Sequence, residues 1–239
     1  MVYFVSDVHL GLAAFSPQER EGRFVNWLKS TPFQAGDDLV LLGDIWDFWY
    51  EYKDVIPKEG IRVLSELIRL MDNGVHVLYF IGNHDIWCFG FFESLGMRVI
   101  KKQPLTVRIA DKKVLLAHGD GVGGADWRYR LMLSIFHNRL CQRLFSLLHP
   151  TLAFDIATRW SRNNRYTHKE YVWKGEEERL YKFASAQDKS IDLFVFGHYH
   201  CAVDETLPDG ARLVVLKDWL TGGTPYFSLE GSIGELPLI

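Results

Sequence analysis

The chain has 239 residues, 48% of them hydrophobic, and a net charge of −3. This length supports one sizeable hydrophobic core with room for a small additional element, which argues against two full domains. The slightly acidic balance argues against binding nucleic acid through a basic surface, so we expect no nucleic-acid partner.

Cysteine use and the first residues indicate the cellular compartment. The three cysteines, Cys88, Cys141 and Cys201, include no CxxC pair, which suits reduced thiols in the cytosol. Residues 1–7 have no basic stretch, and their apolar run is too short for a signal peptide. No uncharged segment approaches the roughly 20 residues of a membrane span. We therefore expect a cytoplasmic protein.

The first predicted element is a short buried strand over residues 2–5, followed by Asp7 and His9. In an extended chain, residues two apart point to the same side, so both side chains can reach one ion. A helix follows over residues 19–30, where apolar residues recur at helical spacing.

Residues 38–42 form an apolar run that predicts a central strand buried on both faces. The run stops at Gly43 and is followed by two carboxylates, Asp44 and Asp47. A carboxylate at the end of such a strand lies where open α/β sheets bind their ligands. We interpret Asp44 as a carboxylate shared by two metal ions.

The same design of strand, glycine and polar side chain recurs later. A helix over 57–73, with Pro57 in its first turn and Gly74 at its end, precedes a strand over 75–81. Further strands are predicted near residue 99 and at 105–109, 114–117, 191–196, 212–216 and 226–230. The residues that follow three of these strands are candidate ligands: Asn83, His118, His198 and His200.

Residues 121–189 lack any strand pattern. Helical segments are predicted at 130–160, with a break or restart at Pro150, and at 175–187. We interpret this block as a helical insertion in a single domain that spans residues 1–239. The surrounding alternation of strands and helices indicates an α/β fold with mixed sheets.

Two features of the insertion each allow two interpretations. The apolar residues of 131–157 either pack on the core or form an acyl-chain groove or membrane contact. The second interpretation rests on their spread over more than one helix face and on the arginines among them, Arg139 and Arg143. The basic run 159–169 is either a solvated face or a clamp for an anionic ligand.

The candidate ligands are carboxylates, imidazoles and one amide, without thiolate, which favours Mn²⁺, Fe or Zn²⁺ over a cysteine-rich structural zinc site. We expect Mn²⁺, with Fe or Zn²⁺ as alternatives. Their number exceeds the needs of one ion, so we expect two ions roughly 3.5–4 Å apart with a bridging hydroxide as nucleophile. The seven ligands are Asp7, His9, Asp44, Asn83, His118, His198 and His200.

The five motifs together resemble the calcineurin-like metallophosphoesterase family. They are Asp7-Val8-His9, Gly43-Asp44-Ile45-Trp46-Asp47, Gly82-Asn83-His84-Asp85, His118-Gly119-Asp120 and Gly197-His198-Tyr199-His200. The resemblance implies a four-layer α/β/β/α sandwich with a dinuclear metal centre and a helical lid. It also implies the ligand sets: Asp7, His9, Asp44 and His200 for one ion, and Asp44, Asn83, His118 and His198 for the other.

The resemblance assigns catalytic roles as well. It implies that His84 polarises the phosphoryl oxygen or protonates the leaving group, and that Asp47 orients His84. Asp85 and Asp120 are expected to orient loops or ligand histidines.

Within the family, the chain is similar to the branch that cleaves the pyrophosphate of UDP-2,3-diacylglucosamine in lipid A synthesis, giving UMP and 2,3-diacylglucosamine 1-phosphate. Residues 6–10 and 43–49 and the helical insertion carry this similarity. It implies a lipid-linked UDP-sugar substrate, a peripheral location on the inner face of the inner membrane and no obligate protein partner. The implied substrate contacts are Asn83, His84, Asp126, Tyr129, Arg162 and Lys169.

One residue departs from that branch, which has arginine where this chain has His84. Arginine stabilises charge but cannot give up a proton at neutral pH, whereas histidine can. The alternative is therefore a sister phosphoesterase acting on another nucleotide, pyrophosphate or phosphomonoester. A non-catalytic scaffold is disfavoured because all seven candidate ligands are present.

Overall fold

Two five-stranded sheets form the centre of the computed structural model, which describes residues 1–166 and 171–234, with the backbone alone for 160–166. In the first sheet, four parallel strands are flanked by one antiparallel strand at the edge. Its order is β10-β1-β2-β3-β4, with β1 at Val2–Val5, β2 at Asp38–Leu42, β3 at His76–Phe80, β4 at Arg98–Ile100 and β10 at Phe227–Leu229.

The second sheet has three parallel strands between two antiparallel edge strands. Its order is β5-β6-β7-β9-β8, with β5 at Leu105–Ile109, β6 at Lys112–Ala117, β7 at Leu193–Phe196, β8 at Val203–Thr206 and β9 at Arg212–Val215. Both sheets are therefore mixed, as the sequence predicts.

Alternate residues of each strand serve two different cores, because side chains alternate between the faces of a sheet. Phe4, Val40 and Leu78 of the first sheet pack on the second sheet, against residues such as Leu116 and Val195. This buried layer joins the sheets face to face and explains why the central strands are apolar without alternation.

Helices cover both outer faces. On the first sheet, the outward residues pack with α1 (Pro17–Ser30), α2 (Ile61–Asp72) and α3 (Phe91–Ser94). On the second sheet, they pack with Leu180 and Ala184 of α7 (Arg179–Ser185). The four-layer α/β/β/α sandwich predicted from the motifs is confirmed.

Three more helices lie between β6 and β7 in the chain: α4 (Trp127–His137), α5 (Arg139–Ser146) and α6 (Pro150–Tyr166). The prediction of one helix interrupted only at Pro150 was wrong. A second interruption falls at Asn138, which is extended and whose Oδ1 accepts hydrogen bonds from the backbone N–H groups of Leu140 (2.9 Å) and Cys141 (3.1 Å). Asn138 therefore ends one helix and caps the next. The limits 121–189 for the insertion stay a prediction.

Two other helix limits differ from the sequence prediction. Helix α2 begins at Ile61, because Gly60 before it has a left-handed conformation with φ of 76°. The segment 175–187 contains a short 3₁₀ turn at Gly175–Glu177 before α7. Both helices end where expected, close to Gly74 and residue 187.

Candidate active site

The candidate ligands meet at one edge of the sandwich, because parallel strands of both sheets end there. Backbone pairing continues past the strands, with Asp7 N–H donating to Gly43 O (3.1 Å) and His9 N–H to Asp44 O (3.0 Å). The loop after β6 is joined to the loop after β7 by a bond from Gly197 N–H to His118 O (2.8 Å).

Five of the candidate ligands adopt a left-handed backbone conformation that is uncommon outside glycine. Their φ values are 54° for Asp7, 50° for His9, 52° for Asp44, 70° for His198 and 55° for His200. Such conformations cluster at functional sites, where the surrounding structure compensates their cost. Here they turn the side chains towards a common centre.

The ligand atoms form two groups, and both lie close to Asp44. In the first, Asp7 Oδ1 lies 3.6 Å from both His9 Nε2 and His200 Nε2. In the second, Asp44 Oδ2 lies 3.4 Å from His118 Nε2, with His198 in the same group. Asp44 Oδ2 is also 3.8 Å from His9 Nε2. The carboxylate of Asp44 is thus placed between the two groups.

Several buried atoms of the candidate ligands are left without hydrogen bonds. Asp7 Oδ1, Asn83 Oδ1 and His118 Nε2 are buried and have no such partner among the described residues. Leaving buried polar atoms unsatisfied costs about 1–3 kcal/mol each. Atoms of these types, aimed at one centre, fit divalent metal ions.

Two of the histidines are oriented by their other ring nitrogen. His118 Nδ1 donates to the carbonyl oxygen of Leu42 (2.7 Å), and His200 Nδ1 bonds Asp218 Oδ2 (2.7 Å). Each bond fixes the ring so that Nε2 faces the centre, the arrangement typical of metal-binding histidines. Asp218 was not predicted as a site residue.

Charges within the cluster shift its pKa values. Burial acts to raise the pKa of Asp44, but His118, His84 and His9 outweigh it and hold the pKa well below the usual range. Burial acts to lower the pKa of His118, but Asp44 raises it well above its usual value. Burial and the neighbouring His118 lower the pKa of His198 to about 3.

A fully buried carboxylate, Asp85, joins the loops after β2 and β3. It accepts hydrogen bonds from the backbone N–H groups of Gly82 (2.6 Å), Ile45 (2.8 Å) and Asp44 (3.3 Å), and from the hydroxyl of Tyr79. Burial and the charge of Asp44 raise the pKa of Asp85 to about 6. This agrees with the loop-orienting role expected of Asp85.

Two glycines are required by close approach. A Cβ atom on Gly82 would lie 2.2 Å from Asp44 Oδ1, and one on Gly43, whose φ is 83°, would lie 2.6 Å from His118 Nδ1. Both distances are too short for any side chain, so the ligands can converge only if these positions are glycine.

His84 and Asp47 lie together, although not in the predicted manner. His84 Nδ1 donates to the backbone carbonyl oxygen of Asp47 (2.8 Å), while Asp47 Oδ1 is 3.6 Å away. The same Oδ1 lies 3.4 Å from His9 Nδ1. The main chain of Asp47 therefore orients His84, and its carboxylate lies between the two rings. Because Nδ1 is the donor, His84 Nε2 is the nitrogen left for a ligand.

A cavity of about 1000 Å³ opens on the cluster and extends between it and the helices. Asp44, Asn83, His84, His198 and His200 form its polar wall. Its apolar wall consists of Phe48, Trp87, Met132, Ile135, Phe136, Phe145, Ile156 and Ala157. An apolar groove therefore adjoins the candidate metal ligands, which favours the acyl-chain groove over simple core packing as the interpretation of residues 131–157.

Aromatic contacts hold the helices on the sandwich. Trp87 packs on Phe136 (4.9 Å between ring centroids) and on Phe145 (5.7 Å), and its Nε1–H donates to Phe136 O (3.0 Å). Phe48 meets Phe154 edge to face at 5.2 Å. The groove is thus formed jointly by the loops after β2 and β3 and by the helices.

The predicted substrate contacts have different positions. Tyr129 lines the cavity and donates a hydrogen bond to Asp120 Oδ2 (2.9 Å). Asp126 is exposed and caps α4, accepting from Arg128 N–H (2.8 Å) and Tyr129 N–H (2.9 Å). Its place in the structure is thus explained by helix capping. Arg162 and Lys169 lie outside the residues whose side chains the structure describes.

The outer surface of the helices is unusually apolar. Leu140, Leu144, Leu147 and Leu152 are 65%, 57%, 81% and 51% exposed. None of the helices in the described part of the chain has the length and apolarity needed to cross a membrane.

Residues 1–202 match the family model of the calcineurin-like phosphoesterases. The chain therefore belongs to this family and is a metallophosphoesterase, a class of enzymes that use divalent metal ions. This confirms the family indicated by the five motifs.

Among curated proteins, the chain is similar to UDP-2,3-diacylglucosamine hydrolases. The protein of Porphyromonas gingivalis is 32% identical over 238 residues, covering 92% of this chain and 90% of the relative. The protein of Haemophilus influenzae is 28% identical, and the match covers 99% of this chain and 98% of the relative. The protein of Neisseria meningitidis is 28% identical, and the match covers 96% of this chain and 94% of the relative.

Proposed function

We propose that this enzyme hydrolyses the pyrophosphate of UDP-2,3-diacylglucosamine to UMP and 2,3-diacylglucosamine 1-phosphate. The observation that carries the proposal is the cavity of about 1000 Å³ in which an apolar groove adjoins the ligand cluster. A small soluble phosphoester has no use for that groove, whereas two acyl chains next to a phosphate need one. The relatives' names point to the same substrate.

The proposed ligands fall into two sets that share Asp44. Asp7, His9, Asp44 and His200 would hold one ion, and Asp44, Asn83, His118 and His198 the other. The donor types favour Mn²⁺, with Fe or Zn²⁺ as alternatives. When bound, the ions supply an activated water and the positive charge that the phosphate needs.

We assign His84 a direct role in the reaction. Its Nδ1–H donates a hydrogen bond to the carbonyl oxygen of Asp47 (2.8 Å). Its side chain is 25% exposed and lines the cavity. In the protonated form, Nε2–H can hydrogen-bond a phosphoryl oxygen and give its proton to the leaving group. The arginine of related enzymes can supply only the first function.

The exposed leucines support a membrane contact. Leu140, Leu144 and Leu147 lie on or next to α5, together with Arg139 and Arg143. Apolar side chains flanked by cations suit the surface of an anionic bilayer. Such a location would bring the mouth of the groove to a substrate whose acyl chains reside in the membrane.

The test is turnover by the purified, Mn²⁺-loaded protein. We expect UMP release from UDP-2,3-diacylglucosamine in detergent micelles, with kcat/KM at least 100-fold above that for UDP-glucosamine, which lacks the acyl chains. Bis(p-nitrophenyl) phosphate serves as a control for an intact metal centre. Hydrolysis of this ester without turnover of the lipid substrate would favour a sister phosphoesterase instead.

A further inference from the structure

The large cavity has a second part of different character, which we call the polar arm. It is formed by Tyr171, Tyr199, Lys217, Leu220 and Thr221. Four of these residues come from the loops after β7 and β9, in the second sheet. The apolar groove instead packs on the loops after β2 and β3, in the first sheet. The ligand cluster draws on the loops of both sheets and lines the same cavity, so the groove and the polar arm both adjoin it.

Lys217 is the one lysine or arginine among the described residues that line this cavity. Within the described part of the chain, it has no hydrogen bond or ion pair that would neutralise it. The other charged groups on the cavity wall are carboxylates and histidines of the cluster and its support. An unpaired ammonium group in a cavity is suited to an anionic group of a ligand.

The segment that carries Lys217 is fixed relative to the cluster. Asp218 binds His200 Nδ1 (2.7 Å) and also accepts from Leu220 N–H (3.0 Å). Trp219 is fully buried, and its N–H donates to Asp7 O (3.1 Å). Lys217 is therefore held beside two of the candidate ligands on a rigid base.

The indole of Trp219 completes this anchor. The indole packs on Phe24 at 4.9 Å and on Trp27 at 5.8 Å between ring centroids. The main-chain carbonyl oxygen of Trp219 accepts a hydrogen bond from Arg23 Nη2 (2.6 Å). Because the backbone around Lys217 is already fixed, it loses little conformational entropy when Lys217 binds a ligand.

We propose that Lys217 binds the phosphate of the nucleotide half of the substrate, and that the polar arm receives the attached nucleoside. A pyrophosphate has two phosphates, and an apolar groove and a cationic arm both adjoin the cluster. The lipid half then occupies the groove and the uridine half the polar arm, where the rings of Tyr171 and Tyr199, 5.2 Å apart between centroids, offer an aromatic surface. This inference depends on the proposed function for the identity of the nucleotide.

The experiment measures binding of UMP and of uridine to the Mn²⁺-loaded protein by calorimetry. We expect Lys217→Ala to weaken UMP binding about tenfold or more, Lys217→Arg to retain most of it, and neither to change uridine binding. Lys112→Ala is the matched control, because Lys112 is exposed at the start of β6 and is not among the described residues that line the cavity. It should leave the affinity for UMP unchanged.

Three results would overturn the inference: unchanged UMP affinity in Lys217→Ala, an equal loss in Lys112→Ala, or wild-type protein that binds UMP no more tightly than uridine. Turnover separates this inference from the proposed function. If the wild type fails to hydrolyse UDP-2,3-diacylglucosamine but UMP binding still depends on Lys217, the substrate assignment is wrong and the nucleotide site stands. If the wild type hydrolyses the lipid substrate and neither hydrolysis nor UMP binding depends on Lys217, the substrate assignment stands and the nucleotide site is wrong.

Discussion

Replacing Gly82 by alanine should disable the enzyme by a single methyl group. The new Cβ atom would lie 2.2 Å from Asp44 Oδ1, whereas real Cβ contacts do not fall below 3.0 Å, so the carboxylate or the loop must move by at least 0.8 Å, the difference between the two distances. The neighbouring backbone nitrogen of Asp44, at 2.5 Å, leaves no easy escape. Asp44 also lies between the two groups of candidate ligands.

A misplacement of about 1 Å in an active site can cost roughly 100-fold in rate. We therefore expect kcat/KM for bis(p-nitrophenyl) phosphate to fall by about 100-fold or more, together with a loss of bound metal. Circular dichroism would establish that the variant is folded. Gly22→Ala is the control, because a Cβ there meets nothing within 4 Å and the position lies inside α1. Wild-type rate and metal content in Gly82→Ala would refute the reasoning.

Two further predictions concern the support of the site and the groove. Asp218→Asn weakens the bond that orients His200, and we expect a 10–100-fold loss of Mn²⁺ affinity, measured by calorimetry on metal-free protein. Phe145→Ala removes part of the apolar wall, and we expect KM for UDP-2,3-diacylglucosamine to rise about tenfold, or roughly 1.4 kcal/mol, with no change for bis(p-nitrophenyl) phosphate.

Each of these has a contrary result. Asp218→Asn with wild-type Mn²⁺ affinity would show that His200 needs no orientation or is not a ligand. For the groove, Ile61→Ala is the control, since Ile61 of α2 is 56% exposed and is not among the described residues that line the cavity. In micelles it should leave KM unchanged, and an equal effect of both variants would argue against acyl binding beside Phe145.

The central strands and the residues that follow them could be read from the sequence for a clear physical reason. Strands buried on both faces must be apolar throughout, so the point where polarity begins marks the end of the strand. Asp7, Asp44 and His118 each follow such a point, and the structure brings them together. The same rule could have found Asp218, which follows the apolar run of β9.

Other features depended on contacts that no local pattern records. The hydrogen bond from His84 to Asp47 uses the main-chain carbonyl oxygen, which no pattern of side chains indicates. The interruption at Asn138 was hidden because the apolar spacing of the helices continues across it. Lys217 gained its significance only when the folded chain showed which cavity it lines.

Metal content is the most direct test of two ions held around Asp44. Wild-type protein reconstituted with Mn²⁺ and freed of excess metal should contain about two Mn²⁺ per chain by mass spectrometry of the metal. Asp44→Ala should lose at least one of them and nearly all hydrolysis of bis(p-nitrophenyl) phosphate while remaining folded. A variant that kept both ions and the wild-type rate would contradict the account.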